Sequence, residues 1–260
     1  MTDKERRVEA VIFDLDDTLI DWSGFTIGWE ELARPRIDKV YDYLTGHGHN
    51  LCDRELFLKH YRRRVEEVWD TAREDWSAPS LANALRFACT DAGVPGEALD
   101  LEEVMEIYAS MWGPVPGVEV YEDTVEVLEE LRRRGYRLGL ITNSFFPMWM
   151  RDVELRHYEL IDYFDARIAS GDTDYMKPHP SIYELMLDML NIAAEEALFV
   201  GDRPDHDIAG ANESGLISVL IDPPHLNRPL DGVQPDYTIT RLQELIPVLD
   251  ALEERESNGR

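Results

Sequence analysis

The sequence predicts an α/β fold in which a mostly parallel sheet is interrupted by an all-helical insertion. Three observations carry that expectation. Short apolar runs end abruptly in polar residues: Val8–Phe13 in Asp14-Leu15-Asp16-Asp17, Arg137–Ile141 in Thr142-Asn143-Ser144, and Ala197–Val200 in Gly201-Asp202. Helical patterns separate the later runs, an alternation that implies right-handed crossovers. Between the first run and the rest, residues 22–112 show helical periodicity alone.

Each element has its own signal. Val8–Phe13, β-branched and aromatic, reads as a buried strand. Ile27–Leu44, Arg54–Arg73, Ser80–Ala92 and Leu101–Met111 fit amphipathic helices, punctuated by Gly46, Gly48, Pro79, Gly93 and Pro95. Gly113-Pro114-Val115-Pro116-Gly117 marks the return to the core. Glu122–Arg134 then reads as a helix stopped by Gly135, and Arg137–Ile141 as a strand. Ser181–Leu190 reads as a helix, Ala197–Val200 as a strand, and Asp207–Ser214 as a helix closed by Gly215. Leu216–Ile221 and Tyr237–Ile239 follow as strands, Leu242–Leu252 as the last helix, and Glu253–Arg260 as a frayed tail. Connections inside compact domains usually run about 2–6 residues. An insertion this long therefore reads as a domain of its own, 22–112, with 1–21 and 113–260 forming the core.

Composition narrows the function. With 53 acidic against 26 basic residues the net charge is −27, a sign that repels phosphate backbones and argues against nucleic-acid binding. A hydrophobic content of 44% supports a core and excludes a globally disordered chain. No apolar run approaches the ~20 residues of a membrane span, so no membrane partner is expected. The charged start Met1–Arg7, followed by a short apolar stretch, does not read as a signal peptide. Cys52 and Cys89 are too few for a disulfide framework or a cysteine-built zinc site. A reducing, cytoplasmic setting is expected, with the chain a monomer or homodimer. Lysine occurs only at Lys4, Lys39, Lys59 and Lys177, which singles out the last of these beside its prolines.

Residues just beyond the carboxyl ends of adjacent parallel strands converge on one crevice. That rule gathers Asp14 and Asp16, Thr142 and Asn143, and Asp202, while Asp207 opens the next helix and can face the same space. Any one of these is equally well a helix cap; their joint placement after strands is not. Carboxylates gathered in one place repel unless a cation sits among them, and all-oxygen ligation suits Mg²⁺.

The run Val11-Ile12-Phe13-Asp14-Leu15-Asp16-Asp17-Thr18-Leu19 resembles the signature of the haloacid dehalogenase-like superfamily. Leu140-Ile141-Thr142-Asn143-Ser144, Lys177-Pro178-His179-Pro180 and Val200-Gly201-Asp202 with Asp207-Ile208-Ala209-Gly210-Ala211 match its later motifs in order. The resemblance implies a Rossmann-like core carrying an inserted helical cap domain. It implies Asp14 as nucleophile, forming an aspartyl-phosphate, and Asp16 as the acid that protonates the leaving oxygen and then activates water. Thr142 and the Asn143 amide N–H would hold phosphoryl oxygens, with Lys177 offsetting their charge. Asp14, Asp202, Asp207 and the main-chain carbonyl of Asp16 would hold Mg²⁺. Dehalogenases of the superfamily lack an acid two residues after the nucleophile, because halide leaves unprotonated. Asp16 therefore favours a Mg²⁺-dependent phosphatase acting on a small phosphorylated metabolite. The alternatives are a phosphomutase or phosphotransferase, a haloacid dehalogenase, or a non-catalytic binding protein.

Outside the motifs, Arg203 is expected to pair with Asp205 or Asp17, and His179 to sit at a helix start. Five of the six tryptophans (Trp22, Trp29, Trp69, Trp76 and Trp112) fall in the insertion, as helix packing or as a pocket lining. Phe145-Phe146-Pro147-Met148-Trp149 is the aromatic stretch expected nearest the leaving group.

Overall fold

The structure is a computed structural model and describes residues 8–223, 225–226 and 228–258. The charged start Met1–Arg7 and the last two residues of the expected tail lie outside the described residues.

Six parallel strands form the core sheet: β1 (Ala10–Phe13), β4 (Arg137–Thr142), β5 (Ala166–Ala169), β6 (Ala197–Gly201), β7 (Ile217–Ile221) and β8 (Tyr237–Ile239). Their order is β5-β4-β1-β6-β7-β8, with Phe13 level with both Leu140 and Val200. The chain leaves β1 to one side for β4 and to the other for β6, so the direction of winding reverses at β1. Ligand crevices of open α/β sheets form at such a reversal.

Both sheet faces are covered, which is why the strand runs are continuously apolar. Along β1, Val11 and Phe13 point into one hydrophobic cluster and Ala10 and Ile12 into the other, the period of two that pleating imposes. The first cluster is closed by α5 (Thr124–Arg134) through Val127, Leu128 and Leu131, and by α9 (Leu245–Asn258) through Leu249 and Leu252. The second is closed by α7 (Pro180–Leu190), through Tyr183 and Met186, and by Ala211 of α8 (Ala209–Glu213).

The insertion forms α1 (Trp29–Gly46), α2 (Arg54–Asp75), α3 (Leu81–Asp91) and α4 (Leu101–Ala109). Local chemistry fixes their ends: the Asp53 and Asp100 carboxylates accept from Leu56 N at 3.0 Å and Glu103 N at 3.1 Å. The four helices share a hydrophobic cluster of their own, including Val40, Phe57, Leu85 and Val104. Phe145 and Met150, which follow β4, also pack into that cluster. Conversely, Trp22, Phe25 and Leu32 pack against the core cluster. Backbone hydrogen bonds tie the insertion to the segment before Lys177: Ala78 N to Asp174 O at 2.9 Å and Met176 N to Trp76 O at 2.9 Å.

Three elements have no counterpart in the sequence reading. They are α6 (Met148–His157), strand β5, and an antiparallel pair formed by β2 (Ile20–Asp21) and β3 (Glu119–Val120). The expected frayed tail is also corrected, since α9 continues through Asn258. Beside the β2–β3 pair the chain leaves for the insertion and returns, and the two crossings touch at glycines. A Cβ on Gly24 would lie 2.3 Å from Gly117 O, and one on Gly117, where φ is +83°, would lie 2.1 Å from Gly24 O. Gly117→Ala is therefore expected to lower stability by about 1–3 kcal/mol, through backbone strain and a clash that no side-chain rotation relieves. Urea denaturation measures this, and an unchanged midpoint would contradict it.

Candidate active site

The crevice at the carboxyl end of the sheet is built around Lys177. Its ammonium, 1% exposed, lies 2.5 Å from Asp14 Oδ1, 2.7 Å from Asp207 Oδ1 and 2.9 Å from the Ile141 carbonyl. Burial alone would push its pKa down, but the carboxylates of Asp14 and Asp207 outweigh burial and hold it above its usual value. Asn143 aims this lysine: its side-chain amide donates to Lys177 O and accepts from Lys177 N, both at 2.8 Å. This pair of bonds fixes the Asn143 side chain against the lysine segment.

Asp14 follows β1 directly, its N–H bonded to Val200 O at 2.9 Å, with Thr18 Oγ1 3.4 Å from its second oxygen. Asp202 follows β6 in the same way. Asp207 is carried by the turn of Pro204–Ile208, and its carboxylate accepts from Arg203 N at 2.9 Å. It packs so tightly on β6 that a Cβ on Gly201 would fall 2.4 Å from its carboxyl carbon.

Asp14, Asp202 and Asp207 each offer an oxygen within 4.8 Å of the others. Asp14 and Asp202 resist ionising. Burial chiefly, then the neighbouring carboxylates, pushes Asp202 up to about 9, and burial raises Asp14 to about 7 despite Lys177. Asp202 Oδ1 is buried without a hydrogen-bond partner among the described residues. Three hard oxygen donors, mutual repulsion and an orphaned carboxylate oxygen fit a divalent cation.

Asp16 is placed differently. Its Oδ1 accepts from Trp22 Nε1 at 2.8 Å and from Arg151 Nη2 at 2.7 Å, while Oδ2 accepts from Thr142 Oγ1 at 3.1 Å. The Thr142 hydroxyl, expected to face phosphoryl oxygens, here donates to Asp16. Arg151 also pairs with Glu154 at 2.8 Å, so one turn of α6 forms a buried ion-pair relay behind Asp16.

Burial pushes Glu154 from 4.5 up to about 7, against the opposing pull of Arg151. The unfolded chain ionises this group earlier than the folded one. Its stabilising contribution is thus complete below pH 4.5 and lost as pH rises through about 7. Glu154→Gln is expected to abolish this loss, on the order of 3 kcal/mol. Urea titrations at low and neutral pH test it, and parallel pH profiles for the two proteins would contradict it.

Trp22, expected as packing or pocket lining, does line a cavity between the insertion and the core and also bonds Asp16. Arg151 and Glu154 were not legible as site residues, and neither was Arg228. Its guanidinium reaches from the β7–β8 connection to Asp17 Oδ2 at 2.8 Å and also contacts Asp202 Oδ2. Arg203 pairs with Asp205 at 3.0 Å, one of its two expected partners, and His179 caps α7.

Two cavities meet at Asp16. One, of about 550 Å³, holds the acidic cluster and Lys177 beneath Trp69, Arg73 and Trp76 of the insertion. The other, of about 760 Å³, lies between the insertion and the core and mixes aromatic side chains, among them Trp22, Trp112 and Phe146, with charged ones.

A family profile of haloacid dehalogenase-like hydrolases matches residues 8–215, spanning the first motif, the insertion, the lysine segment and the last acidic motif. The chain belongs to that family. As a member it is a hydrolase, and its relatives divide by chemistry. It is 31% identical over 136 residues to the pyrophosphatase PpaX of Bacillus mycoides (strain KBAB4), a match that covers 52% of this chain and 62% of that protein. The chain thus spans about three-fifths of the curated relatives it matches. Among solved structures it resembles a 2-haloacid dehalogenase from Pseudomonas syringae pv. Tomato DC3000, with a TM-score of 0.65 and 25% identity over 94% of this chain and 99% of that one. It also resembles a HAD phosphatase from Thermococcus onnurineus, with a TM-score of 0.58 and 27% identity over 93% and 98%. Among the described residues of this family member, no helix is long and apolar enough to cross a membrane.

Proposed function

We propose that this family member is a Mg²⁺-dependent phosphatase that hydrolyses a small phosphomonoester through an aspartyl-phosphate on Asp14. The observation that carries the reading is the pairing of a buried, lysine-bound carboxylate, Asp14, with a second carboxylate two residues on that opens toward a separate cavity. An alkoxide leaving group needs a proton and a halide does not, so Asp16 favours the phosphate ester over the carbon–halogen bond.

When bound by Asp14, Asp202, Asp207 and the Asp16 carbonyl, Mg²⁺ would neutralise and polarise the phosphoryl group. The protein's own residues do the rest. Asp14 attacks phosphorus as the ester oxygen departs with a proton from Asp16. Asp16 then takes a proton from water, which attacks the aspartyl-phosphate and releases phosphate. Thr142 fits this alternation, because a hydroxyl can donate or accept. A proton on Asp16 Oδ2 is accommodated by turning the Thr142 hydroxyl, with the Arg151 and Trp22 bonds to Oδ1 kept. The freed Thr142 hydrogen and the Asn143 main-chain N–H then serve the phosphoryl oxygens. Lys177 offsets the charge that accumulates on Asp14 and the phosphoryl group.

Residues 22–112 act in this scheme as a cap that closes the crevice and shields the transfer from bulk water. A cytoplasmic enzyme working on a phosphorylated metabolite fits the reading.

Phosphate release from sugar phosphates, phosphoglycolate, pyrophosphate and an aryl phosphate, with and without Mg²⁺, tests it, with 2-chloropropionate as the dehalogenation control. Phosphate release from at least one ester is expected. Halide release with no phosphate release from any of them would overturn it.

A further inference from the structure

The cavity between insertion and core contains a buried cation that no carboxylate of the described residues contacts, the charge of Glu154 reaching it only from a distance. Arg36, on α1, is 8% exposed, yet it forms no ion pair among the described residues. Its guanidinium donates to the carbonyl of Leu32 at 2.8 Å and lies over the Trp112 ring, 4.7 Å from the centroid. Its Nε has no hydrogen-bond partner among the described residues. The other two arginines that line this cavity are both matched: Arg151 by Asp16 and Glu154, and Arg62 by Glu30 at 2.9 Å. Elsewhere the protein supplies acids freely to arginines that need them far less, as at Arg63 and Arg64 on the surface, which share Asp91. In a chain of net charge −27, leaving a buried guanidinium without a carboxylate in contact runs against both the composition and the cost of burying a charge.

The surroundings say what would complete it. Arg36 lines the same cavity as Asp16, together with aromatic side chains. Trp112 lies tilted against Phe146 at 4.2 Å between centroids, and Phe146 meets Phe145 edge-on at 5.3 Å, just beyond the Asn143 segment. Because Asp16 and Arg36 line one cavity, a leaving group held against its aromatic side chains would meet both groups.

We propose that the cavity is the leaving-group site and that it selects an ester whose leaving group is an apolar body bearing a second oxyanion, bound by Arg36. This rests on the phosphatase reading for its link to turnover, but the binding site itself can be judged without turnover. Arg36 is then a specificity residue. It recognises the part of the substrate that is not transferred, and its guanidinium fork suits a carboxylate or phosphate better than an ammonium would.

The test is a titration followed by tryptophan fluorescence, since Trp112 faces Arg36. Inorganic phosphate is held at saturation so that the crevice at Lys177 is occupied. The probes are 4-hydroxyphenylacetate, benzylphosphonate and the neutral 4-hydroxyphenylacetamide. Both anions are expected to bind at least about tenfold more tightly than the neutral probe. The tighter anion tells a carboxylate-bearing leaving group from a phosphate-bearing one. Arg36→Met is expected to remove the anion preference, and Arg36→Lys to keep part of it. A purely structural Arg36 would change stability and leave the preference in place. Equal binding of all three probes by the unaltered protein, or a preference that survives in Arg36→Met, would overturn the proposal. In parallel, the hydrolysis rates of 4-(carboxymethyl)phenyl phosphate and 4-ethylphenyl phosphate are compared. Hydrolysis of neither ester counts against the phosphatase reading, while the titration still decides the role of Arg36.

Discussion

Asp14→Asn is expected to reduce phosphate release by about 10⁴-fold or more, because an amide cannot form the acyl-phosphate that divides the reaction into two steps. The substitution preserves size at a residue only 6% exposed, so the loss would not come from a cavity. What it removes is the charge that Lys177 faces at 2.5 Å, and it risks presenting an amide donor to that ammonium. Acid-quenched samples should then contain no phosphoenzyme. Asp16→Asn separates the two roles. It leaves the main-chain carbonyl in place and removes the proton carrier, with an expected loss of about 10²–10⁴-fold. It should also leave Arg151 with Glu154 as its remaining carboxylate. An Asp14→Asn protein turning over at near the original rate would refute the nucleophile assignment.

Chelation is expected to produce the other large loss, about 10³-fold or more, since charge neutralisation by a bound metal contributes several kcal/mol to such transition states. Three buried carboxylates face Lys177 and Arg228, and two of them are pushed up to about 7 and about 9. A bound cation would favour the ionised carboxylates and offset the charge of an entering phosphate dianion. Restoring Mg²⁺ should restore activity and raise the melting temperature, because a ligand of the native state alone stabilises it by mass action. Ca²⁺ prefers oxygen distances of about 2.3–2.6 Å against about 2.0–2.1 Å for Mg²⁺ and should restore little activity. Full activity in excess chelator would rule out the metal.

Asp14, Asp16, Thr142, Asn143 and Asp202 were legible because they end or follow apolar strands. A strand run ending in an acid is a local signal, and the parallel topology converts such local signals into one crevice holding Asp14, Asn143 and Asp202. Lys177 was legible through scarcity and its flanking prolines. The elements that escaped notice lacked local contrast. Strand β5 is four residues long and carries Arg167, paired to Asp152 at 2.8 Å, so it does not read as apolar. Helix α6 buries Arg151 and Glu154 alongside Met150 and Leu155, which scrambles the helical pattern of polar and apolar faces. Arg36, Arg151 and Arg228 were not legible because an arginine in a sequence says nothing of burial. Their distinction is entirely tertiary.

The glycine crossing at Gly24 and Gly117 has a consequence for how the chain can fold. Some ninety residues leave and return through one point of backbone contact, beside the register Ile20↔Val120. To the core, the insertion is a closed loop, and its contacts need not form before β1 finds β4. Loop-closure entropy grows only logarithmically, so doubling the excursion costs about 0.6 kcal/mol more. Seen from the sheet, the length of what is threaded through that junction matters little. The junction's own closure matters a great deal, because it turns a distant pairing along the chain into a neighbouring one.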